Sequence, residues 1–281
     1  MFFSLLSYAL LATTTFAAPG LDSRLARRRE GAHMSGPMRP AVGAINLIKP
    51  ENTSHVAFSS NWAGAAFESP ANTYKSVTGT FVVPTPKVPS GKSTSGTYAA
   101  SAWVGIDGDT CGSAILQTGI DFTISGGRVS FDAWYEYFPD FAHDFTGITI
   151  SAGNTIKLTV TASSATAGTA TIQNLSTGVV SLFCLSFRSS YLVYRPSPSR
   201  LPLPARLCFE NAEWIVEDFE EGSSLVPFAN FGTVTFTGAQ ATLQSGGVVG
   251  PSGSVLIDIQ QGNTVLTSVS SSSSGVTVTY V

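Results

Sequence analysis

The sequence predicts an all-β fold, an antiparallel sandwich or barrel, and three observations carry that prediction. Short runs alternate apolar and polar residues with a period of two. Gly, Ser, Thr and Asn punctuate those runs at close intervals. No amphipathic helix longer than about two or three turns can be traced in the chain.

The clearest strand is 154–160, where Ile156, Leu158 and Val160 alternate with Thr155, Lys157 and Thr159. Residues 165–168 then turn the chain and 169–175 alternates again, which predicts a hairpin. Comparable runs occupy 57–67, 76–83, 98–106, 129–138, 233–237, 254–259 and 276–281. A further, otherwise apolar strand at 114–119 contains Gln117.

One segment breaks the pattern. Residues 185–207 carry Pro196, Pro198, Pro202 and Pro204 together with Arg188, Arg195, Arg200 and Arg206. Proline removes ladder donors, so this piece is no central strand. It reads either as a long exposed loop or as translated sequence from an unspliced intron.

Residues 1–18 form an apolar run that closes on Ala17 and Ala18 before Pro19, the pattern of a secretory signal, although no Lys or Arg opens it. The run is short for a membrane span and no later stretch reaches that length, so the expectation is an exported chain that does not enter a membrane. Residues 19–54 are basic and lack an apolar period; they read as a propeptide, or as a leader without a role. The rest, 55–281, is enough for one sizeable β domain, with 185–207 as an atypical insertion. Without the first 54 residues, Lys and Arg fall from 15 to nine and Asp and Glu from 18 to 15, a net charge of −6. So acidic a domain repels polyanions, which excludes nucleic acid as a natural partner. Monomer is the default for an exported chain of this size. Three cysteines, Cys111, Cys184 and Cys208, imply one disulfide and one leftover thiol. Sequons at Asn52 and Asn174 accept glycans if they lie on the surface.

Elimination narrows the chemistry. After residue 54 the histidines are His55 and His143, with neither an H-E-x-x-H nor a spaced Cys/His cluster for zinc. There is no G-x-S-x-G elbow, and Asp109-Thr110 is followed by Cys111 where an aspartic peptidase needs Gly. What remains is carboxylates and amides among aromatics. In 131–139 one strand face holds Asp132, Trp134, Glu136 and Phe138, two acids beside an indole. That face is either a cleft or a solvated surface. In 211–219 Glu213, Ile215 and Glu217 share one face and Trp214, Val216 and Asp218 the other. A carboxylate between Trp214 and Ile215 is partly desolvated, which raises its pKa toward acid–base use. Gln117 is either a satisfied core amide or a functional donor.

Five stretches in order resemble the fungal glutamic peptidases, the eqolisins. They are Ser60-Asn-Trp-Ala-Gly64, Ala102-Trp-Val-Gly-Ile-Asp-Gly-Asp-Thr-Cys111, Ala114-Ile-Leu-Gln-Thr-Gly119, Asp132-Ala-Trp-Tyr-Glu136 and Asn211-Ala-Glu-Trp-Ile-Val-Glu-Asp-Phe219. The resemblance implies a concanavalin-like two-sheet β-sandwich with a substrate groove on one bent sheet. It implies an acid endopeptidase acting on polypeptides, with Glu213 as general base and acid and Gln117 as oxyanion donor, and needing no metal or cofactor. Trp62, Gly64, Asp107, Asp121, Trp134 and Glu136 become candidates for lining the substrate groove or for supporting the residues that do, by the same resemblance, and Cys111 and Cys208 match a family disulfide. Phe138 stands where relatives carry Tyr. The insertion enters a few residues ahead of Glu213, where relatives have a shorter connection, and threatens the placing of the base.

Two rival readings remain. A sandwich glycoside hydrolase would use Glu136 and Glu213 as its carboxyl pair. A secreted carbohydrate-binding module would use Trp62, Trp134 and Trp214 as stacking platforms.

Overall fold

The computed structural model describes residues 33–42, 56–186 and 205–281. The predicted signal (1–18), residues 19–32 and 43–54 of the predicted propeptide with the Asn52 sequon, His55 and the Pro/Arg-rich 187–204 lie outside the described residues. No helix occurs among the described residues, as the alternating pattern predicts.

The main strands are β1 (Val56–Ser59), β2 (Trp62–Glu68), β3 (Tyr74–Val82), β4 (Thr97–Ile106), β5 (Ile115–Ser125), β6 (Arg128–Phe138) and β7 (Thr155–Ser164). They continue as β8 (Ala167–Asn174), β9 (Val179–Ser186), β10 (Asn211–Glu217), β11 (Thr233–Leu243), β12 (Val255–Gln261), β13 (Thr267–Ser271) and β14 (Gly275–Tyr280). One sheet runs β9-β8-β7-β3-β11-β14-β13; the other runs β12-β2-β10-β4-β5-β6, with β1 parallel to β12. A third, small sheet joins His33–Met34 to Glu220–Glu221 and Ser224–Leu225.

Alternation builds the core. Val77 and Phe81 of β3, Ile156, Leu158 and Val160 of β7, and Val234 and Phe236 of β11 point inward from the first sheet. Val104, Leu116, Ile120, Phe122, Trp214 and Val216 meet them from the second. All of these side chains are buried, and at about 25 cal/mol per Å² the apolar area removed from water is the main force holding the sheets together. Trp214 belongs to this layer: its indole N–H donates to the Thr78 carbonyl at 2.8 Å. The opposite face of the second sheet carries a smaller apolar cluster, Trp62, Ala66, Trp103, Ile115, Trp134, Ile215 and Ile257.

The predicted hairpin is β7–β8, paired through Ile156 and Asn174 to Ala167 and Ser164. Asn174 closes it from the inside. Its amide is fully buried and donates to Thr149 O at 3.0 Å and Asn154 Oδ1 at 2.9 Å. The surface position that a glycan needs is therefore absent here. The strand β9 was not foreseen; it pairs with β8 along its whole length and leaves Val180, Leu182 and Phe183 exposed on the edge of the sheet.

Both flanks of the insertion meet at the hairpin tip. Ser186 pairs with Ala167, and the Leu207 N–H donates to Ala165 O at 2.9 Å. Immediately after it, Cys208 is bonded to Cys111. The chain is thus re-anchored between the insertion and β10, which pairs in unbroken register with both neighbours. That register answers the concern that the insertion displaces Glu213.

Gly64 lies where β2 passes β10. A Cβ there would stand 2.0 Å from Trp214 O, closer than any real contact. Gly64→Ala should therefore lower the unfolding midpoint in urea, by the equivalent of about 1–3 kcal/mol, chiefly through the packing of β2 on β10. Equilibrium denaturation of the purified variant checks this.

Candidate active site

Register assembles the site. Across β2, β10, β4, β5 and β6, Ala66, Glu213, Gly105, Gln117 and Glu136 stand in one row. The next row on the same face is Gly64, Ile215, Trp103, Gly119 and Trp134, and the one after it Trp62, Glu217, Ser101, Asp121 and Asp132. Paired residues of an antiparallel sheet share a face, so seven of the eight predicted catalytic and groove residues converge: Gln117, Glu213, Trp62, Gly64, Asp121, Trp134 and Glu136.

Gly105 sits between Glu213 and Gln117, and its lack of a side chain admits the edge of the Trp103 ring above it. A Cβ at Gly105 would lie 3.3 Å from Glu213 Oε2 and 2.8 Å from the Trp103 ring. Gln117 and Glu213 are both fully buried, and Gln117 Oε1 and both Glu213 oxygens find no protein hydrogen-bond partner among the described residues. Orphaned polar atoms of this kind cost free energy unless they serve a ligand or water. Burial raises the Glu213 pKa well above the usual carboxylate range, and the negative charges of Asp107 and Asp109 raise it further.

Asp107 is the candidate that lies off this face, in a supporting position. It ends the strand run of β4 with a left-handed backbone (φ 67°), so the alternation that would aim it into the groove stops one residue earlier. Its carboxylate accepts the backbone N–H groups of Cys208, Phe209, Glu210 and Asn211 at 2.7, 2.8, 2.9 and 3.1 Å. Burial raises its pKa, and those four donors oppose the rise. Asn211 completes the joint: its Oδ1 accepts the N–H groups of Thr110 and Cys111 at 3.0 and 3.2 Å. Asp107 therefore anchors the start of β10, two residues from Glu213.

Glu217, Trp103 and Gly105 were not singled out from sequence. The signal was present, since alternation already put Glu217 beside Glu213. The Glu217 carboxyl accepts the Trp103 indole N–H at 2.8 Å and the Asn61 amide at 3.4 Å. Burial lifts its pKa to about 8 against hydrogen bonds from Ser35, Trp103 and Trp62. Asp218 faces away and accepts the Gln261 amide at 2.7 Å; burial lifts it too to about 8.

Residues 33–42 cross this face. The Gln117 amide donates to Ser35 O at 2.7 Å, and Ser35 N–H donates to Glu136 Oε2 at 3.1 Å. The Ser35 hydroxyl donates to Glu217 Oε2. The Trp62 indole N–H donates to Gly36 O at 3.1 Å, and Asn61 to Pro37 O at 3.1 Å. His33 Nε2 lies 3.1 Å from Asp121 Oδ2, and its ring is 4.4 Å from that of Phe219.

The rival sites do not assemble. Glu136 and Glu213 are three strand positions apart, a backbone separation of about 14 Å, wider than the carboxyl pair of a glycosidase requires. Trp214 is in the inter-sheet core rather than beside Trp62 and Trp134.

Comparison with known proteins agrees with this geometry. Residues 60–280 match the model of the peptidase A4 family. The chain is 44% identical over its full length to aspergillopepsin-2 of Aspergillus niger, covering 99% of that protein. Over 85% of the chain and 83% of the relative it is 39% identical to scytalidopepsin B of Scytalidium lignicola. Among solved structures, scytalido-glutamic peptidase with a transition-state analogue superposes with a TM-score of 0.67 at 39% identity, over 79% of this chain and 98% of the other. Aspergilloglutamic peptidase from Aspergillus niger gives 0.58 at 53% identity, over 66% and 99%.

Glu217 and Asp218 predict how stability depends on pH. Unfolded carboxyls titrate near about 4, whereas these two hold their protons in the fold up to about 8. The stability this gives is complete below the unfolded value and is lost as pH rises through the folded one. The melting temperature should therefore fall between about pH 4 and pH 8. Asp218→Asn, which keeps an acceptor for Gln261, should flatten the fall, gaining roughly 2–4 °C at pH 8 for each kcal/mol recovered and little at pH 3. Calorimetry of both proteins across that range is the check.

Proposed function

The chain belongs to the peptidase A4 family, and on that premise we propose that it is an exported acid endopeptidase whose chemistry is carried by Glu213 and Gln117. The observation that carries the proposal is the Gln117 amide, which already holds a peptide carbonyl, that of Ser35, at 2.7 Å in the same cross-strand row as the buried Glu213 carboxyl.

In this reading a water lies between Glu213 and Gln117, where it satisfies oxygens that otherwise lack partners. Glu213 takes a proton from that water as its oxygen attacks the scissile carbonyl carbon. The Gln117 N–H holds the oxyanion that forms, worth about 3–4 kcal/mol for one well-placed donor. Glu213 then passes the proton to the nitrogen of the breaking bond, and the amine leaves. Burial raises the affinity of Glu213 for the proton it takes, which strengthens its ionised form as a base while making that form the minor one in acid, and the acidic medium keeps the product amine protonated. Glu136, Trp62 and Asn61 bind the backbone on either side of the bond, and Trp134 and Asp121 line the face beyond. Polypeptides are the substrates, and the working unit is a monomer that requires neither nucleic acid nor membrane.

Two substitutions test the assignment in an acid proteolysis assay with casein or haemoglobin at about pH 3–4. Glu213→Gln should lower kcat by about 10²–10⁴-fold and Gln117→Ala by about 10²–10³-fold, each with KM changed far less. A Glu213→Gln protein that keeps most of its activity would sink the proposal.

A further inference from the structure

We infer that Glu217 is a positioning residue of the reaction, which holds the Trp103 indole across the face of β10 so that the ring keeps water away from Glu213. The inference rests on the peptidase reading and deepens it by naming the support on which the base depends.

The indole spans two acids of one strand face. Trp103 pairs with Ile215 of β10 and Gly119 of β5, in the row between those of Glu213 and Glu217. From there its Nε1–H donates to Glu217 Oε2 at 2.8 Å. The far edge of the ring reaches the Glu213 row, where a Cβ on Gly105 would lie 2.8 Å from Trp103 Cζ3 and 3.3 Å from Glu213 Oε2. Ring edge and carboxyl oxygen therefore converge on one point above a glycine.

The glycines beside the ring make room for it without aiming it. A Cβ on Gly119 would come within 2.6 Å of Trp103 Cβ and 2.7 Å of Trp134 Cζ2, so any side chain there would push both indoles aside. The Trp62 ring meets Trp103 edge-on with centroids 4.9 Å apart, a contact that tolerates rotation better than a hydrogen bond does. The directional contact is the N–H bond to Glu217. Glu217 is itself fixed, since its buried carboxyl also accepts the Asn61 amide at 3.4 Å and the Ser35 hydroxyl.

Desolvation gives this wall its effect. A carboxylate that faces an aromatic edge in place of water binds a proton more tightly, and its ionised form is the stronger base. Without the Glu217 bond the indole turns, water reaches Glu213 and the base weakens. The backbone contacts from Gln117, Glu136, Trp62 and Asn61 stay in place, so kcat carries the loss rather than KM.

The test compares the purified full chain with Glu217→Gln, Glu217→Leu, Trp103→Phe, Glu213→Gln and the double variant Trp103→Phe/Glu217→Leu, in steady-state hydrolysis of a soluble peptide at about pH 3.5. Glu217→Gln keeps an acceptor for the indole but has no proton to exchange, and its kcat should stay within about threefold of the parent. Glu217→Leu removes the acceptor and Trp103→Phe the donor, and each should lower kcat by about 10–10²-fold with KM changed less than about threefold. The double variant should fall no further than the worse single by more than about threefold. A Glu217→Gln protein as impaired as Glu217→Leu would make Glu217 an acid or base in its own right and overturn the inference, as would losses that multiply in the double variant. If Glu217→Leu does not fold, activity kept in Glu217→Gln and lost in Trp103→Phe supports the inference, and any other pairing overturns it. Through all of these outcomes an inactive Glu213→Gln leaves the peptidase reading intact; a Glu213→Gln protein that keeps its activity takes both down.

Discussion

The site depends on one buried carboxylate that is not part of the reaction. Asp107 gathers four consecutive backbone N–H groups at the start of β10 and so decides which residue of that strand stands opposite Gly105. A slip of one residue would turn Glu213 into the inter-sheet core and Trp214 out of it, because side chains alternate faces. The Cys111–Cys208 bond and the Asn211 side chain act at the same joint. Together they separate the strand carrying the candidate base from the long insertion just before it.

The acids on and around β10 explain why an acidic medium suits this protein. Glu213, Glu217, Asp218 and Asp109 all have pKa values raised mainly by burial, Asp109 to about 6. Charged, such groups would repel one another and lack water to solvate them. Neutral, they are hydrogen-bonding groups of modest cost, as the Glu217 contacts with Trp103 and Asn61 illustrate. The fold is most stable where Glu217 and Asp218 keep their protons, whereas the reaction itself uses Glu213 in its ionised form.

How much of this was legible in the sequence follows from which rules are local. Period-two alternation is local, and it gave the strands around Val160, Gln117, Glu136 and Glu213 and the division of β10 into two faces. Whether Asp107 lines the groove or supports it stayed open, because motif position says nothing of a backbone that turns left-handed at φ 67°. Asn174 matched a sequon, but whether an amide is buried depends on partners 20 and 25 residues away. Glu217 was seen beside Glu213, yet its bond to Trp103 spans 114 positions and leaves no mark in either stretch. Residues 33–42 have no periodicity, so nothing local showed that they lie over Gln117. Cross-strand and cross-groove contacts are what a single chain hides.

The claim beneath this account is that Gln117 and Glu213 act on one tetrahedral step as a unit. The most direct measurement is kcat/KM for the parent, Gln117→Ala, Glu213→Gln and the double variant in one acid proteolysis assay. The account predicts strong non-additivity, with the double variant falling no further than the worse single by more than about threefold. Losses that multiply in the double variant would show two independent contributions and contradict it.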